Sequence, residues 1–233
     1  MDIGQLIMWL LLLGTGALLV VFKDWVKQHH LKLELILGIL LVFFRIWRGS
    51  GYIADGEWNR VVPLQLCSLS TYIALFYFLT KYKKLELYLF FFGFLGLSSF
   101  IDPDVAWSSA RMSYILGFVY DHLIITLAPL YLVVIKDFKF GIKDIVIPYI
   151  VVVVLLFVSW PINYAWSGSN FFYIVEKPVF SDVFSEDRFS PWMYDLLYIF
   201  AFQFAFFVFN AISLLIIKLV NKTPYLGNKT ISE

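Results

Sequence analysis

Seven apolar stretches, near residues 5–22, 31–47, 62–79, 85–101, 113–135, 145–160 and 194–220, run along the chain, each close to the roughly 17–25 residues that a bilayer crossing requires. So many continuous runs leave few folds open. In hydrocarbon every backbone polar group must find an internal partner, and a helix supplies one within its own segment. The sequence therefore predicts an all-α, polytopic membrane protein with seven transmembrane helices, a single domain over residues 1–233 and a long outer loop at about 161–193. The composition agrees, with 61% hydrophobic and 15% charged residues, far from that of a soluble domain. A net charge of +1 argues against a nucleic-acid partner, which needs a concentrated basic surface. The first run does not read as a signal peptide, because only Asp2 precedes it and no small-x-small cleavage site stands out. No internal repeat is visible, so the inverted-repeat signature of many transporters is absent. One cysteine excludes an internal disulfide and leaves the redox compartment unread.

Lysine and arginine placement gives an orientation. The connections after the first, third, fifth and seventh stretches hold twelve of the eighteen basic residues, all lysines; the opposite face holds Arg45, Arg48, Arg60, Arg111, Lys177 and Arg188. Positive charge favours the cytoplasmic side, so the N-terminus is expected outside and the C-terminus inside. All five arginines fall on the outer face, a pattern suited to holding phosphates or carboxylates. The arrangement points to a multi-pass protein of a cell membrane.

Polar residues within the apolar stretches cost free energy unless they are paired or used. The most concentrated group is Arg60-Val61-Val62-Pro63-Leu64-Gln65-Leu66-Cys67-Ser68-Leu69-Ser70-Thr71, which brings the lone thiol, an amide and three hydroxyls to the mouth of the third helix. Proline suits the start of a helix, where its missing N–H costs little. Asp121 and His122 lie about eight and nine residues into the fifth helix, roughly 12–14 Å from its outer end at the α-helical rise. Cys67 lies about five residues into the third, or roughly 7–8 Å deep. The gap is small enough for the thiol and the imidazole to meet, and cysteine with histidine is a minimal nucleophile and base. A lone cysteine also packs as a small hydrophobe. Arg45 can snorkel from near the outer end of helix two, and Glu34 is expected to stay at the inner interface beside Lys32. His29 and His30 are adjacent in an inner loop without cysteine or acid ligands, so no metal site is expected there. Gly93 and Gly96 are expected to let a neighbouring helix approach. No glycine-rich phosphate loop or nucleophile elbow is present, and no cofactor is expected.

Three motifs carry a resemblance. Pro63-Leu64-Gln65-Leu66-Cys67, Phe118-Val119-Tyr120-Asp121-His122-Leu123-Ile124-Ile125, and Asn163-Tyr164 with Gly168-Ser169-Asn170-Phe171-Phe172-Tyr173 and Glu176-Lys177-Pro178 together resemble the YwaF-type bacterial integral membrane proteins. That family is distantly similar to transmembrane protein 164, a eukaryotic lipid acyltransferase. The resemblance covers about residues 45–206 and implies a seven-helix fold of the bacterial plasma membrane with an acyl-transfer centre of Cys67 and His122. It departs from the common pattern at Gln65, where histidine is usual, and at Asp121, where a small residue is frequent.

The leading expectation is acyl transfer or acyl hydrolysis on a membrane phospholipid near the outer leaflet, with Cys67 as nucleophile and His122 as base. Gln65, Ser68 and Asn163 are candidate oxyanion donors, Arg45, Arg60 and Lys177 candidate headgroup ligands, and Asp121 a lesser contributor because adjacent helical positions diverge by about 100°. The alternative is a small-solute carrier or a non-enzymatic seven-helix protein, with Asp121 and His122 as a proton relay. Against a carrier, polar residues cluster in the outer third while the inner halves are nearly all apolar.

Overall fold

The computed structural model describes residues 3–101, 103, 107, 110–139, 141–174 and 190–222. The helices are α1 (Ile3–Val21), α2 (Lys23–Ala54), α3 (Leu66–Thr80), α4 (Lys84–Gly93), α5 (Ser98–Ile101), α6 (Met112–Val134), α7 (Val146–Ala165) and α8 (Pro191–Lys222). Among the described residues there is no strand. Four segments are long and apolar enough to cross a membrane, Ile3–Val21, Met112–Val134, Lys143–Ala165 and Pro191–Ile212, and Leu66–Thr80 is a shorter apolar helix.

The boundaries depart from the sequence reading where local chemistry differs from hydropathy. Helix two, expected over 31–47, extends from Lys23 to Ala54; its added first segment, 23–30, contains lysines and histidines but no proline or glycine and is a competent helix former, and the added last segment includes Gly51, where a Cβ would meet the Tyr114 ring and the Ser113 hydroxyl of α6. His29 and His30 therefore lie on the helix, not in a loop, and His29 stacks on Trp25. Helix three, expected from 62, begins at Leu66 with Gln65 as its N-cap in extended backbone. Pro63 sits before the helix, where it disfavours helical backbone in the residue preceding it. The stretch 85–101 is broken into α4, a 3-10 turn over Phe94–Leu97, and α5. Its glycines allow contact with α6: a Cβ at Gly93 would collide with the Ile125 carbonyl, and one at Gly96 with the Thr126 hydroxyl. Helix α7 passes through Pro161 to Ala165, so the expected outer loop is shortened at its start.

Contacts along the helices give their directions. Glu34, Gly38, Arg45, Arg48 and Gly51 of α2 meet Tyr131, Leu79, Ser68, Asp121 and Ser113 in turn, so α2 runs against both α3 and α6. Met8 and Leu12 cluster with Phe118 near the start of α6 while Gly16 lies near Leu127 and Leu130 further along it, which makes α1 parallel to α6. The connection 55–65, the start of α6 and the loop 166–174 thus share one end of the bundle, and residues 81–83 and 135–139 the other.

Phe78, Phe90, Phe91, Ile125 and Leu132 form the core between α3, α4 and α6, with Leu41 entering from α2 and Val152, Leu156 and Phe206 from α7 and α8. Outward, large apolar side chains stand uncovered, including Leu10, Leu13 and Val21 of α1 and Phe200 and Phe204 of α8. In water these would be a severe liability; in lipid they face their own kind. The molecule is an all-helical membrane protein.

Candidate functional site

The site lies where the N-terminus of α3 enters the bundle. Cys67, the second residue of α3, is half-buried, and its Sγ is 3.9 Å from the Ser99 hydroxyl on α5. Two of the hydroxyls that follow it are spent within the helix: Ser70 donates to the Leu66 carbonyl at 2.7 Å and Thr71 to that of Cys67 at 2.9 Å. Such back-bonding satisfies a hydroxyl in an apolar setting. Ser68 is partly buried, and its carbonyl accepts a bond from Arg45.

Asp121 of α6 is buried, and one of its oxygens, Oδ2, lies 3.4 Å from Arg45 Nη1 and 3.1 Å from Arg48 Nη1. Arg45 and Arg48 are three residues apart on α2, so one helix face presents both. Arg45 also donates to the Ser68 carbonyl at 3.0 Å and lies over the Tyr72 ring. Arg48 donates to the Tyr52 hydroxyl at 2.9 Å. Gly117 makes room for it, since a Cβ there would stand 3.0 Å from the Arg48 Cδ. Among the described residues, two guanidiniums and one carboxylate leave one positive charge uncancelled in a nearly solvent-free site, and buried charge calls for a partner. Among the described residues, Asp121 Oδ1 and Arg45 Nε have no hydrogen-bond partner.

His122 is buried beside the Phe118 ring, and its Nδ1 is 2.8 Å from the Phe118 carbonyl. A carbonyl only accepts, so Nδ1 carries the proton and Nε2 keeps its lone pair. No hydrogen bond joins the thiol to the imidazole. Arg45 nevertheless spans Ser68 and Asp121, which brings the neighbourhoods of Cys67 and His122 to one level of the bundle.

Gln65 and Asn163 hold the loop that roofs this end. Gln65 Nε2 donates to the Asn170 carbonyl and its Oε1 accepts from the Phe172 amide, both at 2.8 Å. Asn163 makes a pair of hydrogen bonds to the Phe171 backbone, donating to its carbonyl at 2.9 Å and accepting from its amide at 2.7 Å. Tyr198 donates to the Phe172 carbonyl at 2.6 Å. These ties restrain Phe172 and Tyr173, whose φ angles of 56° and 55° are unusual for bulky residues. The two amides, candidate oxyanion donors in the sequence, are thus both engaged in bracing a loop. Arg60 is at the rim, 3.1 Å from Glu57, and Lys177 lies outside the described residues.

Sequence reading missed Arg48 and Ser99 as site residues. The i, i+3 spacing of Arg45 and Arg48 was a usable signal; the approach of Ser99 to Cys67 was not, because it depends on the break between α4 and α5. Glu34 lies at the end of α2 where it was expected, but buried and paired with other lysines than Lys32. Its side chain is fully buried at the opposite end, 2.7 Å from Lys81, 3.3 Å from Lys136 and 2.5 Å from the Tyr131 hydroxyl. Among the described residues, no group of three or more histidine, cysteine or acidic side chains could hold a metal.

The model of one protein family, described as the TMEM164 family, matches residues 3–214. No curated protein and no solved structure matches the chain.

Proposed function

This chain belongs to the TMEM164 family, and we propose that it transfers or hydrolyses acyl groups of membrane phospholipids through Cys67, with His122 as its base. The observation that carries this reading is the company of the thiol. The chain's lone cysteine precedes Ser68, whose carbonyl accepts from Arg45; Arg45 and Arg48 pair with Asp121, and the buried imidazole of His122 follows Asp121 on α6.

In the reaction, the Cys67 sulfur attacks the ester carbonyl carbon as its proton passes to His122 Nε2. The surplus charge of Arg45 and Arg48 compensates the thiolate and the developing oxyanion, a role that preorganised positive groups fill without reorganisation. The C–O bond then breaks, and the imidazolium returns the proton to the departing lysolipid hydroxyl. An acceptor hydroxyl or water opens the thioester and regenerates the thiol. The mechanism requires the sulfur and Nε2 to close to hydrogen-bond distance with substrate bound, as catalytic contacts often do.

The alternation of helix directions supports seven crossings, and the lysine distribution supports an N-terminus outside and the site near the outer leaflet of a bacterial plasma membrane. A carrier fits less well. Between the Glu34 cluster and the Asp121 cluster lie Leu41, Phe78 and Ile125, all buried, and an aqueous path would need polar lining.

The test uses vesicles containing a phospholipid with a radiolabelled acyl chain. Wild type should acquire a hydroxylamine-labile label, Cys67→Ser none, and His122→Ala should acquire it at least about tenfold more slowly, equivalent to roughly 1.4 kcal/mol. Labelling that persists in Cys67→Ser, or its absence from wild type together with an unchanged lipid profile in cells lacking the protein, would defeat the proposal.

A further inference from the structure

An apolar groove of about 750 Å³ runs between α1 and α6, with Phe90 and Leu97 also lining it. Leu12, Gly16 and Val20 form one wall at four-residue spacing, and Thr126 and Leu130 the other, so two parallel helices present matching stripes. Its volume lies within the roughly 300–1,000 Å³ of ligand sites.

Two connections tie the groove to the thiol. Thr126 follows His122 by one turn of α6, and Leu97 precedes by two residues Ser99, whose hydroxyl faces the Cys67 sulfur. From His122 to Val133, at the far end of the wall, is about 16 Å at the helical rise. Half the hydrocarbon core of a bilayer is about 15 Å, the depth that one acyl chain fills. Both walls belong to helices suited to crossing a membrane, where the surrounding solvent is itself acyl chain.

We propose that this groove is the berth of a phospholipid acyl chain, holding it along α1 and α6 with its ester end at Cys67. The placement of the ester rests on the acyl-transfer reading above; the berth rests on the groove. Gly16 is the position that tests it. A Cβ there would lie 3.5 Å from Leu127 and 3.7 Å from Leu130, so alanine fits, whereas a phenylalanine ring would occupy the groove; Gly14 faces open space.

The experiment uses the full chain in phosphatidylethanolamine and phosphatidylglycerol vesicles, with a trace of phosphatidylcholine carrying a diazirine at the end of a palmitoyl chain. Photolabelling mapped by mass spectrometry should concentrate on α1 and α6 at the groove. Gly16→Phe should lower that labelling at least about fivefold, while Gly16→Ala and Gly14→Phe stay within about twofold of wild type; size-exclusion profiles check that the variants remain folded. Cys67→Ser should label the groove as wild type does, so a failure of the chemistry remains distinguishable from a failure of the berth. Labelling spread over the exposed faces of α1, α7 and α8 and indifferent to Gly16→Phe would overturn the proposal. So would crosslinks between two copies through the groove.

Discussion

Replacing Asp121 by asparagine removes the one negative charge that, among the described residues, Arg45 and Arg48 share, while preserving shape. At an effective dielectric of about 20, a pair at 3.1 Å is worth about 5 kcal/mol and the second pair, at 3.4 Å, about as much. Desolvation offsets much of this, and breaking a buried pair from one side costs about 3–5 kcal/mol in practice. For a chain of this size, such a loss should lower the melting temperature by about 6–20 °C, read by thermal unfolding in mild detergent. The double variant is more telling. Asp121→Asn leaves two uncompensated guanidiniums, and adding Arg48→Met restores the native surplus of one. The double variant should therefore recover about 1–2 kcal/mol over Asp121→Asn alone, an interaction term of the kind found for groups in contact. A melting temperature for Asp121→Asn within a degree or two of wild type, or strictly additive losses, would refute the claim that these charges hold one another.

Gln65→Ala removes both bonds to the Asn170–Phe172 backbone; the Phe172 amide should exchange with deuterium at least about tenfold faster, and unchanged protection would remove Gln65 as the brace. At the opposite end, Glu34→Gln strips the charge from two lysine contacts and should cost about 2–4 kcal/mol, whereas Tyr131→Phe, which removes one hydroxyl donor, should cost about 1; equal effects in chemical denaturation would contradict the ion-pair account. In a Cys67→Ser background, a cysteine at Trp58→Cys should react with an impermeant maleimide from outside intact cells and one at Lys83→Cys should not; the reverse result would invert the orientation and move the site to the inner leaflet.

The sequence by itself determined the class of molecule, because unbroken apolar runs in a chain this poor in charge have one stable solution in lipid, the helix. It also marked Cys67, Asp121 and His122, since polar atoms in such runs are costly enough to stand out. Hydropathy could not place the ends of α2 and α3: lysines and histidines extend a helix as readily as they form a loop, and Pro63 with Gln65 delays the next one. Nor could it tell which polar groups are occupied. Gln65 and Asn163 have the chemistry of oxyanion donors, but their partners lie on a loop about a hundred residues from one and eight from the other. Arg45, read as able to snorkel, turns inward because Asp121 on α6 offers a carboxylate, and Glu34 is buried because Lys81 and Lys136 arrive from two other connections. Those choices were left to tertiary structure, because whether a charge seeks water or a partner depends on what packing places within about 4 Å of it.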